Sequence, residues 1–178
     1  MMFDILVCHA PGREVHLRRL QEILAPQLIP GVRVLVDDDP RKSIGKKRND
    51  VMARADAKYM AFVDDDDRVS PNYVDLLMQG MRTDVDWWSL VGEITCDGAN
   101  PRVFLHSIKD TAYSEANGIY YRYPNHLNCI KVDMARRFEF PKVNCGEDGR
   151  VASKVNGHSA WPSLEGRGMR DLWCRTKS

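Results

Sequence analysis

Residues 58–67 read KYMAFVDDDD, an apolar run followed directly by four aspartates. A short apolar run of this kind is typical of a buried strand, so the four carboxylates fall where that strand ends. Adjacent carboxylates repel one another and resist simultaneous ionisation unless a positive charge compensates them. The stretch therefore predicts a buried strand whose carboxyl end carries an acidic site that needs a cation.

Strands and helices alternate around this stretch. We expect strands at residues 3–8, 32–39 and 58–63, each an apolar or β-branched run. Apolar residues at helical spacing predict helices that begin near Leu17, within residues 43–57 and at residues 70–81. In the last of these, Ser70 is the expected N-cap and Pro71 the first helical residue. The alternation predicts an α/β fold with a mostly parallel central sheet and helices on both faces.

The composition fits one globular domain. The chain has 178 residues, of which 43% are hydrophobic and 29% are charged, with a net charge of +1. The small net charge argues against a generally basic nucleic-acid binder, and no apolar run approaches the ~20 residues of a membrane helix. Five widely spaced cysteines without a Cys-x-x-Cys pair argue against zinc and disulfides. The N-terminus also lacks a basic signal-peptide region, so we expect a cytoplasmic protein.

Two acidic clusters follow predicted strands, at residues 37–39 and 64–67. Ligands bind parallel sheets at the carboxyl ends of the strands, so both clusters are candidate site residues. Because alternate residues of an extended strand share a face, Asp64 and Asp66 are expected to point together and Asp65 to point away. Two carboxylates on one side form half of a site for Mg²⁺ or Mn²⁺, whose other ligands are water and phosphate. The alternative is a solvated acidic loop before a helix.

Two further segments carry candidate chemistry. Residues 41–50, RKSIGKKRND, gather five basic residues around a glycine and a helix start, which favours phosphate. Arg48 is the strongest candidate there, because a guanidinium makes planar bidentate contacts. In NCGEDGRV, residues 144–151, Glu147 and Asp148 lie between two glycines, where a carboxylate could act as a general base. A helix N-cap at Asp148 explains the same pattern equally well.

Taken in order, the motifs LVDDD, SIGKKRNDVMARADAKYMAFVDDDDRVSPNYVDLL and NHLNCIKVDMARRFEFPKVNCGEDGRV closely resemble those of the family 2 glycosyltransferases with the GT-A fold. The resemblance spans roughly residues 3–155, and NHLN is also similar to elements of compact glycosyltransferases from phages and large viruses. It implies a Rossmann-like GT-A domain over residues 1–178, with a nucleotide-binding half of about 1–82 and an acceptor half of about 83–178. It also implies an inverting, Mn²⁺- or Mg²⁺-dependent transfer of a sugar from a nucleotide diphosphate to an acceptor hydroxyl.

The resemblance implies roles for individual residues. Those expected to bind the nucleotide sugar are Asp37, Asp38, Arg48, Asp64 and Asp65. Those expected to hold the metal are Asp64 and Asp66. Asp148 is expected to deprotonate the acceptor hydroxyl, with Glu147 positioning the acceptor. VDDDPRK stands where the family usually has DDGS, so the contact of Asp38 with the nucleotide base is the loosest of these matches.

Three aromatic side chains are weaker candidates. His158 is a candidate for the metal site, because many GT-A enzymes place a metal-binding histidine after the acidic catalytic motif. His126, in PNHLN, is the other unassigned histidine. A buried or hydrogen-bonded histidine is the alternative for each. Trp87 and Trp88 are adjacent, and successive strand residues face opposite sides of a sheet. Trp88 is therefore a candidate to lie exposed and stack on a sugar or base, and packing of both indoles is the alternative.

Two other functions stay open on the residues alone. A nucleotidyltransferase would share the sheet and the metal carboxylates, but should have a glycine-rich loop after the first strand, where CHAPGREVHLRR has one glycine. A non-catalytic sugar-nucleotide binding module is the second, although Asp66 and Asp148 are intact. Calcium-module and glycosidase functions fit less well, because DDDDRVSP lacks EF-hand spacing and an acidic strand end favours phosphate. The expected acceptor is a glycan, a lipid-linked sugar, a protein or a modified DNA base.

Overall fold

The computed structural model describes residues 1–96, 99–107, 110 and 112–144, together with the backbone of residues 171–173. The strands are β1 Phe3–Cys8, β2 Val32–Asp37, β3 Tyr59–Asp64, β4 Trp87–Cys96, β5 Ala99–His106, β6 Ser114–Ala116, β7 Ile119–Arg122, β8 Cys129–Lys131 and β9 Asp171–Trp173. The helices are α1 Glu14–Leu24, α2 Ile44–Arg54, α3 Tyr73–Arg82 and α4 Val132–Ala135, with a 3₁₀ turn at Ala25–Gln27. Within this described part, none of the helices has the length and apolar character to span a membrane.

The strands form one mixed sheet in the order β2-β1-β3-β8-β4-β5-β7-β6, with β9 pairing beside β4. The first three strands are parallel, as the alternation predicts. The later pairs β3·β8, β4·β8, β4·β5 and β6·β7 are antiparallel, whereas β5·β7 and β4·β9 are parallel. The predicted α/β fold is confirmed, with parallel pairing throughout β1–β3 and mixed pairing in the later strands. The division into halves near residue 82 stays a prediction.

Helices cover both faces of the parallel strands, as expected. In β1, Ile5 and Val7 pack with α1 and α3, whereas the alternate residues Leu6 and Cys8 pack with α2. This division follows from the pleat, which sends successive side chains to opposite faces. Burial of each large apolar side chain contributes about 1.5–3 kcal/mol, so both layers stabilise the edge at which the acidic residues lie.

The ends of two elements differ from their expected positions. Strand β2 ends at Asp37 instead of continuing through residue 39. The N-cap prediction at Ser70 is wrong: α3 begins at Tyr73, its N-cap is Asn72, and Ser70 and Pro71 precede it. The carbonyl of Ser70 accepts a hydrogen bond from the Tyr73 N–H at 3.0 Å, which forms a turn before the helix.

Candidate active site

The carboxyl ends of β1, β2 and β3 bring the acidic clusters together. In the parallel register, Cys8 pairs with Asp37 on one side and with Asp64 on the other. The two acids therefore lie at the same edge of the sheet, where open α/β sheets bind ligands. The predicted common edge for the two clusters is confirmed.

Asp64 is the last residue of β3 and contacts one arginine and one histidine. Its Oδ1 accepts a hydrogen bond from Arg48 Nη2 at 3.2 Å, and its Oδ2 lies 3.1 Å from His126 Nε2. Burial by itself would raise the pKa of Asp64, but His126 and Arg48 outweigh burial and hold that pKa below its usual value. Asp64 is therefore ionised at neutral pH, and a third of its side chain stays exposed.

Arg48 is buried between aromatic rings. Only 3% of its side chain is exposed, and its guanidinium lies 5.3 Å from the ring centre of Phe62 and 5.7 Å from that of Phe140. Cation–π contacts and the ion pair with Asp64 compensate the cost of burying this charge. Arg48 therefore orients Asp64 from a buried position. Its contact with the nucleotide sugar stays a prediction.

Asp65 ties the end of β3 to the loop after β1. Its Oδ2 accepts the Ala10 N–H at 2.9 Å and lies 2.8 Å from His9 Nδ1, while Oδ1 accepts from Arg13 Nη1 at 3.1 Å. Asp65 is 1% exposed, so these partners surround it on both oxygens. The structure gives Asp65 a positioning role in the loop, and its direct contact with a nucleotide sugar stays a prediction.

Asp66 is the most exposed of the acids expected to hold the metal. Its Oδ2 lies 2.9 Å from Arg13 Nη1, and 42% of its side chain is exposed. The expectation that Asp64 and Asp66 share one strand face is wrong, because β3 ends at Asp64 and the chain then turns. The turn is closed by a hydrogen bond from the Asp67 N–H to the Asp64 carbonyl at 3.1 Å. Asp65 and Asp66 consequently share Arg13, while Asp64 has separate partners.

Asp67 was not singled out by the sequence, and it is the least compensated acid of the turn. Burial, together with the charges of Asp64 and Asp66, raises the pKa of Asp67 to about 7. No ion pair joins it to another of the described residues. A carboxylate with this environment is one that a nearby divalent cation would stabilise in its charged form. The signal in the sequence is its place as the fourth acid of the cluster at residues 64–67, which as a whole was expected to lie at the site.

The residues after β2 divide into one buried and one exposed acid. Asp37 is buried and its Oδ2 accepts from Lys42 Nζ at 2.7 Å, so Asp37 fixes the loop after its strand. Asp38 is exposed and is free to meet a ligand at the sheet edge. The contacts of both with a nucleotide base stay predictions.

The basic segment is more deeply engaged in the fold than its sequence suggested. Lys47 is one of the five basic residues expected to favour phosphate, and it is only 3% exposed. Its Nζ donates to the carbonyl of His9, and so holds the loop after β1 from the side of α2. Lys46 pairs with Asp50 on the same helix. These contacts leave the loop after β1 fixed from two directions, by Asp65 and by Lys47.

The structure places the aromatic candidates for the site in different surroundings. His126 is 6% exposed and contacts Asp64, so it lies at the site, while its role there stays a prediction. The proposal that Trp88 stacks on a sugar or base is wrong, because its side chain is fully buried beside Phe3 and Tyr59. Trp87 is also buried, on the opposite face of the sheet. Glu147, Asp148 and His158 lie outside the described residues.

The carboxylates of the turn suit a hard divalent ion. Among the described residues, no three His, Cys, Asp or Glu side chains already form a metal-binding group. Mg²⁺ and Mn²⁺ need few protein ligands, since they keep several waters and bind substrate phosphates. Asp64 and Asp66 offer exposed carboxylate oxygens at the ligand-binding edge, so the residues present fit such an ion.

An apolar pocket adjoins the acidic turn. It lies between the end of β3, the start of α3 and the strands β4 and β5, and its lining includes Val63, Asp67, Tyr73, Leu90, Phe104 and His106. His106 is anchored there by Asn128, whose Nδ2 lies 3.0 Å from His106 Nδ1. Pockets of mainly apolar lining with a few polar groups are typical ligand sites.

The sequence matches the family described as Glycosyl transferase family 2 over residues 17–140. The chain belongs to this family. The match includes β2, α2, the acidic turn and the strands from β3 to β8, whereas β1 precedes it. The predicted family is thereby confirmed, and the family favours a glycosyltransferase over the nucleotidyltransferase alternative.

Solved structures of S. aureus TarS have the same fold as this family 2 chain. The complex of TarS 1-349 with UDP has a TM-score of 0.69 and 16% identity, and the alignment covers 100% of this chain and 61% of that one. The complex of TarS 1-349 with UDP-GlcNAc has a TM-score of 0.67 and 14% identity, with coverage of 100% and 59%. A longer TarS structure has a TM-score of 0.63 and 14% identity, with coverage of 98% and 36%.

At this level of identity the similarity to TarS establishes the GT-A fold. This chain spans 36% to 61% of the length of those TarS chains. Among curated proteins, no sequence matches this family 2 chain significantly.

Proposed function

We propose that this family 2 chain transfers a sugar from a nucleotide-diphosphate sugar to an acceptor hydroxyl, with inversion at the anomeric carbon and with Mn²⁺ or Mg²⁺. The observation that carries the proposal is the acidic turn at the carboxyl end of β3, which offers the ionised carboxylate of Asp64 and the exposed carboxylate of Asp66 at the ligand-binding edge of the sheet. TarS was solved in complexes with UDP and UDP-GlcNAc, so a UDP-sugar is the first donor to test.

Each described residue of the site has a physical task in this reaction. Asp38 meets the nucleotide base from the exposed end of β2, and Asp65 holds the loop after β1 in place through His9 and Arg13. Arg48 and His126 keep Asp64 ionised and oriented. A divalent ion held by Asp64 and Asp66 would supply positive charge that stabilises the departing diphosphate.

The acceptor side of the reaction depends on the acidic pair beyond the described residues. Asp148 removes the proton of the acceptor hydroxyl as that oxygen attacks the anomeric carbon, and Glu147 positions the acceptor. Attack from the face opposite the leaving diphosphate gives inversion. These roles rest on the sequence motif NCGEDGRV and on membership of the family.

Calorimetric titration with donors tests the proposal. UDP, UDP-GlcNAc, GDP and GDP-mannose would be titrated into the wild type, with Mn²⁺ and with EDTA, and the titrations repeated on Asp66→Asn. We expect one donor to bind only with Mn²⁺, and Asp66→Asn to weaken that binding at least about tenfold, the loss that even indirect support of a metal ligand causes. Asp75→Asn is the matched control, because Asp75 is an exposed acid on α3.

Three outcomes would contradict parts of the proposal. Equal donor binding with Mn²⁺ and with EDTA would contradict the proposed dependence on a metal ion. Failure of the folded protein to bind any of these ligands would contradict the proposal that it transfers a sugar from a UDP- or GDP-sugar. Donor binding without release of UDP or GDP in the presence of mixed glycan, lipid-linked and protein acceptors would favour the non-catalytic binding module.

A further inference from the structure

A set of aromatic and arginine side chains covers one face of the sheet formed by β5, β6 and β7. We call it the Tyr–Arg face, and its members are Arg102, Phe104, Tyr113, Tyr120, Arg122 and Tyr123. The register pairs Phe104 with Tyr120 and His106 with Arg122, so these side chains project from the same side of the sheet. The acidic turn at residues 64–67 does not contribute to this surface, and neither do Asp37 and Asp38, which were expected at the nucleotide base.

Arg122 is at the centre of the Tyr–Arg face. Its guanidinium carbon lies 5.0 Å from the ring centre of Tyr113, 5.5 Å from that of Tyr120 and 5.8 Å from that of Phe104. Among the described residues, no carboxylate forms an ion pair with Arg122. A guanidinium held against rings keeps the in-plane N–H groups that bind an oxyanion in bidentate fashion. The face therefore presents a pre-oriented guanidinium that can donate hydrogen bonds to an oxyanion.

Aromatic rings flank the Arg122 guanidinium and are accessible to solvent. Tyr113 is 55% exposed, and its ring centre lies 4.6 Å from that of Tyr123. Tyr120 and Tyr123 are partly exposed. Tyrosine offers a flat apolar surface together with a hydroxyl, which suits the alternating apolar and hydroxyl-bearing faces of a sugar ring.

The Tyr–Arg face is continuous with the candidate active site. Phe104 belongs to the face and also lines the apolar pocket, whose lining includes Asp67 of the acidic turn. Gly92 makes this arrangement possible, since a Cβ at that position would come within 2.0 Å of the Phe104 ring. A ligand bound on the face thus reaches toward the edge of the sheet at which the proposed donor lies.

We propose that the Tyr–Arg face binds the acceptor, and that the acceptor is a glycan with one acidic sugar unit, whose ring stacks on the tyrosines and whose oxyanion pairs with Arg122. This inference rests on the proposed function, because it names the acceptor of that reaction. A uronic-acid carboxylate and a sugar phosphate supply the same chemistry.

The charge on the face favours an acidic sugar over a nucleic acid. Arg102 is paired with Glu115, so among the described residues Arg122 alone adds an uncompensated positive charge to the face. Single-stranded nucleic acids are bound by grooves in which several basic groups follow successive phosphates. One free guanidinium between tyrosines instead matches one oxyanion on one ring.

Nuclear magnetic resonance of the arginine side chains tests the inference. Protein labelled with ¹⁵N-arginine would be titrated with methyl glucuronide, glucose 6-phosphate, methyl glucoside and an octathymidylate. We expect the Arg122 Nε–H signal to shift saturably with an acidic sugar, and the sugar that binds more tightly, methyl glucuronide or glucose 6-phosphate, identifies the source of the oxyanion. Arg122→Gln should weaken this binding about tenfold or more, because it removes a charge-assisted bidentate contact.

Further variants separate the proposed binding from general damage to the sheet. Arg122→Lys keeps the charge but loses the planar fork, and Tyr113→Ala removes an exposed ring, so both should weaken binding of the acidic sugar while the protein stays folded. Arg18→Gln is the matched control at an exposed arginine on α1, where binding should stay within about twofold.

The inference is overturned if the neutral glucoside shifts the Arg122 signal as strongly as the acidic sugars, or if no acidic sugar shifts it. Tighter binding of octathymidylate than of the sugars would replace it with a nucleic-acid surface. Donor titrations on the same samples keep the two proposals apart. Donor binding without acidic-sugar binding overturns only the acceptor inference. Acidic-sugar binding without donor binding overturns the proposed sugar transfer, and the Tyr–Arg face is then a glycan-binding surface and not an acceptor site.

Discussion

Three of the four aspartates at the end of β3 have arginine or histidine partners. Arg48 and His126 contact Asp64, His9 and Arg13 contact Asp65, and Arg13 also contacts Asp66. The sequence indicated that a cation was required, and suggested only a metal ion. The protein supplies most of the compensation from residues that are distant in the sequence and that no spacing rule connects to the acidic run. What remains uncompensated is Asp67, which leaves room for the proposed divalent ion.

Cys8, between Asp37 and Asp64 in the register, predicts a pH effect at the scale of one residue. Burial, which outweighs the nearby charges, raises the pKa of the Cys8 thiol to about 12 from an ordinary value of 9.0. The unfolded chain loses this proton first, so the contribution of Cys8 to stability is complete below about pH 9 and decreases as the pH rises from 9 to 12. The slope there is about 1.4 kcal/mol per pH unit.

Urea unfolding of the wild type and of Cys8→Ala between pH 8 and pH 11 measures this effect. Other groups titrate in both proteins and cancel in the difference, so the loss of stability with rising pH should be smaller in Cys8→Ala. Parallel curves for the two proteins would show that the thiol does not titrate as its burial requires.

At the scale of elements, α2 is joined to a segment far away in the sequence. The Gly45 N–H donates to the Val143 carbonyl at 3.1 Å, and a Cβ on Gly45 would lie 1.9 Å from the Pro141 carbonyl oxygen. Asn49 adds two hydrogen bonds to the backbone of Phe140, each 2.8 Å long. These contacts fix the chain just before the predicted catalytic motif at residues 144–151.

Gly45→Ala should therefore destabilise the protein although alanine is the better helix former. Helix propensity alone would add about 1 kcal/mol of stability, whereas forcing a methyl group against the backbone costs about 1–3 kcal/mol or more. We expect a net loss of at least about 1 kcal/mol in urea unfolding. Ala53→Gly, at an exposed position of the same helix, should lose about 1 kcal/mol through propensity alone. A stabilised Gly45→Ala protein would show that the close approach to Pro141 does not exist.

Local periodicity was sufficient for the first half of the fold and insufficient for the site. The pattern of β1 and the alternating strands and helices gave the parallel sheet and its carboxyl edge, because those features depend on neighbouring residues. The turn after Asp64 could not be obtained from the strand pattern, since four identical residues carry no signal for where pairing stops. Burial of both Trp87 and Trp88 agrees with the packing alternative, because the two faces of β4 are covered by different layers.

At the scale of the whole molecule, the short strand β8 joins the parallel and antiparallel parts of the sheet. Ile130 of β8 pairs with Met60 of β3 on one side and with Trp87 of β4 on the other, and its side chain is fully buried. Because one strand completes both parts, we expect the sheet to unfold as one cooperative unit. Ile130→Ala should lower the free energy of unfolding by about 2–5 kcal/mol, as expected for a truncated core residue.

Urea titrations followed by far-ultraviolet circular dichroism and by near-ultraviolet signals of the buried tryptophans measure this prediction. In both the wild type and Ile130→Ala, the two signals should change at the same urea concentration, and the variant should shift the midpoint without changing the slope. Ile29→Ala is the control, because Ile29 is 41% exposed and its loss should change stability by less than about 0.5 kcal/mol. Separate transitions for the two signals would contradict the prediction. They would show that the parallel strands are stable without the antiparallel part, which carries the Tyr–Arg face.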